Sequence, residues 1–110
     1  MSNILSVLDA YAFENADDIA KVLAAEFRKR RVEKNITRVQ LAERSGVAVS
    51  NIVRFEQKGL ISLANLISLA MAMGYVSEIK NIFSQPKYST MEELSQIREN
   101  TSKTRAYKKK

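Results

Sequence analysis

At 110 residues, of which 45% are hydrophobic, the chain is long enough for one small domain with tails and too short for two domains of ordinary size. It contains no cysteine and no histidine, which excludes disulfides, thiolate nucleophiles, an imidazole base and the usual zinc ligand sets, so we expect no metal, no cofactor and no enzymatic activity. No apolar run approaches the roughly 20 residues that cross a bilayer, and the start lacks the basic flank of a secretory signal, so we expect a cytoplasmic protein without a membrane partner.

Charge is distributed unevenly along the chain. Residues 1–27 hold one Lys and five Asp or Glu, a net charge of −4, whereas residues 28–110 hold seventeen basic and seven acidic residues, a net charge of +10. A basic surplus of this kind favours a polyanionic partner such as nucleic acid. Surplus lysines can also serve solubility alone, so charge leaves both explanations open.

The apolar residues recur three and four positions apart, and only three Gly and one Pro interrupt them, which predicts an all-α fold. An N-terminal segment, residues 1–14, carries apolar residues at helical spacing: Ile4, Leu5, Leu8 and Tyr11. Asn15, with Asp18 three residues later, predicts the N-cap of a long helix that ends near Lys34, where Asn35 can take the left-handed conformation. The residues expected on the buried face of this helix are Ile19, Val22, Leu23 and Phe27.

Two short amphipathic helices follow, and a glycine separates them. Thr37 and Gln40 predict a capping box at the start of the first, whose inner face carries Leu41 and Ala42. Gly46 can adopt the positive φ that turns the chain sharply into the second helix, expected from about residue 48 to 57 or 58. Two short helices crossing at such a turn predict a helix-turn-helix, whose second helix presents its outer face to the major groove of DNA.

Three further helices are predicted after Gly59. Ser62 is expected to cap a fourth helix that ends at Gly74 and carries the apolar residues Leu63, Leu66, Ile67, Leu69 and Ala70. A short fifth helix spans residues 76–83, and Thr90 with Glu93 predicts the cap of a sixth, ending near residue 99 before a basic tail. The expected organisation is an N-terminal helical segment over residues 1–14, a DNA-binding domain over residues 15–83, and a C-terminal helix with its tail over residues 84–110.

The stretch ITRVQLAERSGVAVSNIVRFEQKG, residues 36–59, resembles the Cro and phage-repressor (Xre) helix-turn-helix family. That family has a capped TxxxLA, then GV, then an isoleucine and a closing glutamate, and the resemblance covers residue 27 to about residue 75. It implies a lambda-repressor-like bundle of about five helices that binds duplex DNA. One departure concerns the end of the second motif helix, where Gln57 and Lys58 stand between the glutamate and the glycine and the family usually has a single residue.

The resemblance and the helix geometry together give candidate DNA contacts. Ile52 and Phe55 share the inward face of the recognition helix, so other residues occupy its outer side. In the family, the positions that match Val49, Ser50 and Arg54 contact bases. Arginine can grip guanine with two hydrogen bonds, serine can bond several bases, and valine offers methyl contact to thymine or simply packs. Asn51 suits either a base or a phosphate.

Phosphate contacts are expected at the start of the first motif helix, where Thr37, Arg38 and Gln40 combine side-chain donors with free backbone N–H groups. Lys58 is a further candidate beyond the recognition helix. Arg31 lies in the basic run RKRR, but it aligns with a family arginine that is buried against the glutamate matched here by Glu56. The resemblance therefore implies a structural ion pair between Arg31 and Glu56.

These observations predict a transcriptional repressor that binds an inverted-repeat operator in double-stranded DNA as a homodimer, because one short helix reads too few base pairs alone. Two apolar surfaces are candidates for the dimer contact: the N-terminal stripe of residues 4–11, or the residues Tyr75, Val76, Ile79 and Phe83. Binding to single strands or RNA is disfavoured, since the aromatic residues lie at core-like spacing. A protein-interaction adaptor on the same fold stays open.

The C-terminal part, residues 82–110, exceeds what a minimal repressor needs. Its Pro-marked loop, capped helix and basic end loosely resemble the extensions of HipB-like antitoxins, which accompany HipA-type kinase toxins. That resemblance implies an antitoxin that represses its own operon and binds a HipA-type kinase. The alternative is a plain Xre-family repressor with a solvated helix and a tail that adds nonspecific DNA affinity.

Overall fold

The computed structural model describes residues 14–108, with side chains described as far as residue 103. Within this range there are six helices: α1 (Ala16–Glu33), α2 (Arg38–Ser45), α3 (Val49–Lys58), α4 (Leu63–Ala72), α5 (Val76–Lys80) and α6 (Met91–Lys108). Over the described range the secondary structure is entirely helical, which confirms the prediction of an all-α, lambda-repressor-like bundle. The predicted N-terminal helical stripe, residues 4–11, and the last two lysines lie outside the described residues.

The helix starts follow from local capping chemistry. Asn15 and Asp18 form a reciprocal capping box at the start of α1, as predicted, and Thr37 and Gln40 form another at the start of α2. The Ser62 side chain accepts a hydrogen bond from the backbone N–H of Asn65 and so caps α4. Each cap satisfies N–H groups that a helix start leaves without a partner.

Positive φ angles end the first helices. Asn35 (φ 55°) lies just after α1, and Gly46 (φ 77°) ends α2 with its N–H donating to the carbonyl of Ala42. Two residues then lead directly into α3, which confirms the predicted helix-turn-helix. Gly59 (φ 71°) ends α3 in the same left-handed conformation.

The chain divides into two compact units, Met1–Val76 and Ser77–Lys110. In the first unit, α1 packs against α3, and α2 packs against both α3 and α4. The hydrophobic core lies among these four helices and consists of Ala24, Ile36, Leu41, Val47, Ile52, Phe55, Leu69 and Met73. Phe27 of α1 packs edge-to-face on Phe55 of α3, with ring centroids 5.3 Å apart.

The predicted buried face of α1 is largely wrong. Ile19, Val22 and Leu23 are 55%, 56% and 52% exposed, whereas Ala24 is buried. The face turned toward the core runs through Ala20, Ala24, Phe27 and Arg31, and it brings the α1 backbone close to Gly59, where an added Cβ would lie 3.0 Å from the carbonyl carbon of Ala20. Small residues permit this close approach, so the larger aliphatic residues lie to one side of the contact.

Three other expectations are also corrected. Leu63 is 70% exposed at the first position of α4, before the helix meets the core. Helix α5 ends at Lys80 and is shorter than predicted. Helix α6 extends to Lys108, well past residue 99, because the polar stretch after Glu99 contains no Gly or Pro that would end a helix.

Candidate nucleic-acid interface

Helix α3 has one buried and one exposed face. Ile52, Phe55 and Glu56 are buried on the side that packs against α1 and α2. Val49 is 38% exposed, and Ser50, Asn51 and Arg54 are exposed as well. All four sequence-predicted base-contact residues are therefore open to solvent on a helix whose buried side packs in the core.

The capping box at the start of α2 leaves side-chain hydrogen-bond donors free for a partner. Thr37 Oγ1 accepts from the Gln40 backbone N–H at 3.1 Å, and Gln40 Oε1 accepts from the Thr37 N–H at 2.9 Å. The Gln40 amide nitrogen and the Thr37 hydroxyl hydrogen are not used in these two bonds. Both residues are exposed, so the helix start offers side-chain donors beside the positive end of the α2 dipole.

Arg31 and Glu56 form a bidentate ion pair in the core. Arg31 Nε and one terminal guanidinium nitrogen donate to the two carboxylate oxygens at 2.6 and 2.8 Å, and the other terminal nitrogen donates to the Ile36 carbonyl at 2.8 Å. The side chains are 8% and 0% exposed. The pair ties α1 to α3 and to the loop that leads into α2.

Glu56 also binds a second arginine. Arg38 Nε donates to the Glu56 carboxylate at 3.0 Å, and the Arg38 side chain is 30% exposed. Burial raises the pKa of Glu56, but the hydrogen bonds and charges of Arg31 and Arg38 together outweigh burial, so its pKa lies below the ordinary value of 4.5. Two guanidinium groups around one carboxylate leave an excess of one positive charge, and Arg38 carries it toward solvent.

The other three residues of the basic run RKRR do not take part in this buried network. Lys29 pairs with Glu26 at 3.4 Å, and Arg30 pairs with Glu33 at 3.1 Å, both on the exposed surface of α1. Arg28 is exposed. Helical geometry thus distributes the run RKRR around α1 and does not gather it into one basic patch.

Helix α3 includes the residue by which this chain exceeds the family pattern between the glutamate and the glycine. Gln57 and Lys58 both belong to the last turn of α3, and Gly59 follows as its C-cap. Lys58 is exposed there. The Gly59 backbone lies against α1 at Ala20 and Lys21, at a distance that leaves no room for a side chain.

Sequence reasoning missed one part of this surface. Asn51 and Arg54 of α3 line a shallow depression together with Leu60, Ile61, Ser62 and Asn65. The depression combines the outer face of α3 with the capped start of α4. Ser62 was recognisable as a cap from its sequence, but its position beside Arg54 depends on the path of residues 59–62.

A short helix crossing a second helix at a left-handed glycine, with a free polar outer face, defines a helix-turn-helix DNA-binding domain. A family model described as Helix-turn-helix matches residues 27–80, which span the end of α1 through α5. Residues 27–80 are therefore a helix-turn-helix domain of the Xre and lambda-repressor-like type, which supports a role as a DNA-binding transcription regulator.

A comparison with curated proteins gives no match. Within residues 14–108, no helix is both long enough and apolar enough to cross a bilayer. The same part of the chain contains no cluster of three or more acidic side chains that could hold a metal ion.

Proposed function

We propose that the chain is a sequence-specific repressor that reads base edges of duplex DNA with the exposed face of α3. The observation that carries the proposal is the division of α3, whose buried side is fixed by Ile52, Phe55 and Glu56 while Val49, Ser50, Asn51 and Arg54 stay free. A recognition helix needs both properties, because base readout requires side chains held in register by a rigid scaffold.

The four exposed side chains have distinct roles in this proposal. Arg54 donates two hydrogen bonds to guanine O6 and N7, an interaction worth about 1–3 kcal/mol of discrimination. Ser50 bonds a base edge near the start of α3, and Val49 contacts a thymine methyl group. Asn51 shares the depression beside α4 with Arg54, so it bonds either a base or the adjoining phosphate.

Phosphate contacts come from Thr37, Arg38, Gln40 and Lys58. Arg38 is held through its Nε by Glu56 at 3.0 Å, which leaves its terminal nitrogens to donate to a phosphate. Glu56 thereby acts as a positioning residue for this contact, since a fixed guanidinium loses less side-chain entropy on binding than a free one. The capping box orients Thr37 and Gln40 in the same way.

The regulator binds as a homodimer on an inverted repeat, because the outer face of one ten-residue helix spans few base pairs. Apolar residues after Gly74 are candidate dimer contacts in each unit separately: in the first, Tyr75 is half-buried and Val76 is 42% exposed, and in the second, Ile79 is half-buried and Phe83 is 93% exposed. Sedimentation of the chain with and without Phe83→Ser tests the contact through the second unit.

Titration of labelled duplex DNA selected from a random pool tests the repressor proposal. Arg54→Ala is expected to reduce the preference for the selected site over random DNA by about 1–3 kcal/mol. Arg38→Ala is expected to weaken binding to both DNAs alike and to reduce its salt dependence. Arg98→Ala, which removes the same charge from an exposed position of α6, is the matched control. Equal affinity for selected and random duplexes, or a preference for single strands, contradicts the proposal and favours an adaptor or a single-strand binder.

A second candidate function is that of an antitoxin for a HipA-type kinase. In the second unit, apolar side chains are open to solvent in the loop before α6 and at the first residue of that helix: Ile82, Phe83, Tyr88 and Met91 are exposed by 59%, 93%, 49% and 74%. Exposed apolar residues at this density favour a protein partner. Co-purification of a kinase encoded beside the chain, lost on deletion of residues 84–110, is the expected result. A chain that represses fully after this deletion and has no such neighbour is a plain repressor.

A further inference from the structure

Helix α4 is apolar on two opposite sides. Its inner side, with Leu69 and Ala70, is buried in the core of the first unit. The opposite side, called the outer face of α4 below, consists of residues spaced by three and four positions: Ala64, Ile67, Ser68 and Met71. Among the described residues, Met71 is 58% exposed, Ala64 is exposed, and the other two are half-buried. A surface helix ordinarily turns charged residues away from the core, so a second apolar side is typical of a helix that packs on two partners.

The outer face of α4 can be covered without leaving a polar group unpaired. The Ser68 hydroxyl donates a hydrogen bond to the Ala64 carbonyl at 3.1 Å, within the same helix. No charged residue occurs between residues 59 and 77. Burial of this face therefore costs neither a desolvated charge nor a lost hydrogen bond.

The absence of charge favours a second copy of the chain as the partner. In a two-fold interface both subunits contribute the same patch, so charged side chains near the axis meet their own copies. The outer sides of neighbouring helices carry such charges: α1 has Asp17 and Lys21, and α2 has Glu43 and Arg44, all exposed. Two copies of the outer face of α4 can meet across an axis without like-charge repulsion.

We propose that the regulator dimerises by packing the outer faces of two α4 helices antiparallel, across a two-fold axis that passes between Ile67 and Ser68. The inference rests on the proposed function, which requires a dimer, and it names the surface that forms the dimer. In this register Met71 of each copy faces Ala64 of the other, and Ile67 faces Ser68. A large side chain thus meets a small one at every position, which lets the helix axes approach to about 8–10 Å.

The size of this surface determines how strong the dimer is. One pair of short helices buries less than the roughly 800 Å² per partner of a standard interface. We therefore expect a monomer–dimer equilibrium in solution. On operator DNA the two half-sites hold both copies at a high effective concentration, which completes the dimer.

Disulfide crosslinking tests the register, because the natural chain contains no cysteine. Ala64→Cys and Met71→Cys chains are purified separately, mixed and mildly oxidised. The mixed disulfide is expected to form several-fold faster than either homodimer, since the two copies of residue 64 lie about 10 Å apart along the helix pair and a disulfide needs Cα atoms within about 7 Å. Ser68→Cys, next to the axis, is expected to crosslink to its own copy. Val32→Cys, at a position of α1 that is 55% exposed, is the matched control.

Sedimentation equilibrium of the full chain gives a second measurement. Met71→Asp is expected to weaken dimerisation by about tenfold or more, because it places a carboxylate in an apolar contact. Val32→Asp, at a similarly exposed position, is expected to leave dimerisation unchanged. The thermal midpoint of dilute Met71→Asp is expected to match that of dilute Val32→Asp. A much lower midpoint for Met71→Asp, independent of protein concentration, assigns the face to another part of the same chain and overturns the proposal.

Other results also overturn the proposal. Homodimers of Ala64→Cys that form as fast as the mixed disulfide contradict the antiparallel register. Equal dimerisation by the natural chain and Met71→Asp contradicts the contact, as do crosslinks of Ser68→Cys that form no faster than those of Val32→Cys.

Site selection from random duplex DNA separates these failures from a failure of the proposed function. A chain that recovers an inverted repeat but fails the crosslinking tests is a repressor that dimerises through another surface, and the α4 contact is rejected. A chain that forms the mixed disulfide but selects no DNA site retains the α4 contact, and the repressor is rejected.

Discussion

Replacing Glu56 by alanine is expected to destabilise the domain severely. The Glu56 side chain is 0% exposed and accepts hydrogen bonds from Arg31 at 2.6 and 2.8 Å. Its loss leaves the Arg31 guanidinium buried with the Ile36 carbonyl as its remaining bond in the network. Removing one partner of a buried ion pair costs about 3–5 kcal/mol, a large part of the roughly 5–15 kcal/mol that holds a small domain folded. Urea unfolding followed by far-UV circular dichroism measures this free energy directly.

Two control variants test whether the cost of Glu56→Ala comes from leaving a buried charge without its partner. Glu33→Ala breaks the exposed pair with Arg30, whose side chains are 43% and 58% exposed, and is expected to cost less than about 1 kcal/mol. Arg31→Met combined with Glu56→Leu replaces the buried pair by apolar side chains of similar size and is expected to restore most of the stability. A cost for Glu56→Ala no greater than that for Glu33→Ala would refute the reasoning.

Three further predictions concern the turn, the cap and pH. Gly46→Ala has open space around the added Cβ, so it is expected to lower the free energy of unfolding by about 1 kcal/mol, through its positive φ alone. In Gly59→Ala the added Cβ also meets the Ala20 backbone at 3.0 Å, so the same unfolding assay is expected to show a loss about 1–3 kcal/mol larger. Equal losses in the two variants would contradict the close packing of α3 on α1. Thr37→Ala is expected to cost about 1 kcal/mol through loss of the capping box, measured by thermal unfolding, and an unchanged midpoint would argue against that bond. Because folding lowers the pKa of Glu56, the stability that its ionised carboxylate contributes is complete above pH 4.5 and is lost as the pH falls through the lower pKa of the folded state. The free energy of unfolding, measured against pH, should lack this acid-dependent contribution in Glu56→Gln. An identical pH dependence in that variant would refute the assignment.

The features that sequence predicted well are those that a few neighbouring residues determine. Asn15 with Asp18 and Thr37 with Gln40 form their capping boxes within a single turn. Gly46 ends α2 because its own backbone conformation favours a left-handed turn. Such local chemistry is the same whatever packs around it.

The features that sequence missed depend on which surfaces meet. Periodicity placed Ile19, Val22 and Leu23 on a face of α1, but it did not determine whether that face or the adjacent alanine face would meet α3. The pairing of Arg31 with Glu56 came from the family resemblance, since 25 residues separate them. The bond between Arg38 and Glu56 requires the packed arrangement of α2 against α3, which spacing alone does not supply.

The most direct test of the central proposal, that the free face of α3 reads base sequence, is selection of binding sites from random duplex DNA with the natural chain and with Arg54→Ala. The natural chain is expected to recover an inverted repeat with a guanine at one matched position in each half-site. Arg54→Ala is expected to recover the same repeat with that position relaxed. Recovery of an identical motif by both proteins, or of no motif by the natural chain, would contradict base readout by the exposed face of α3.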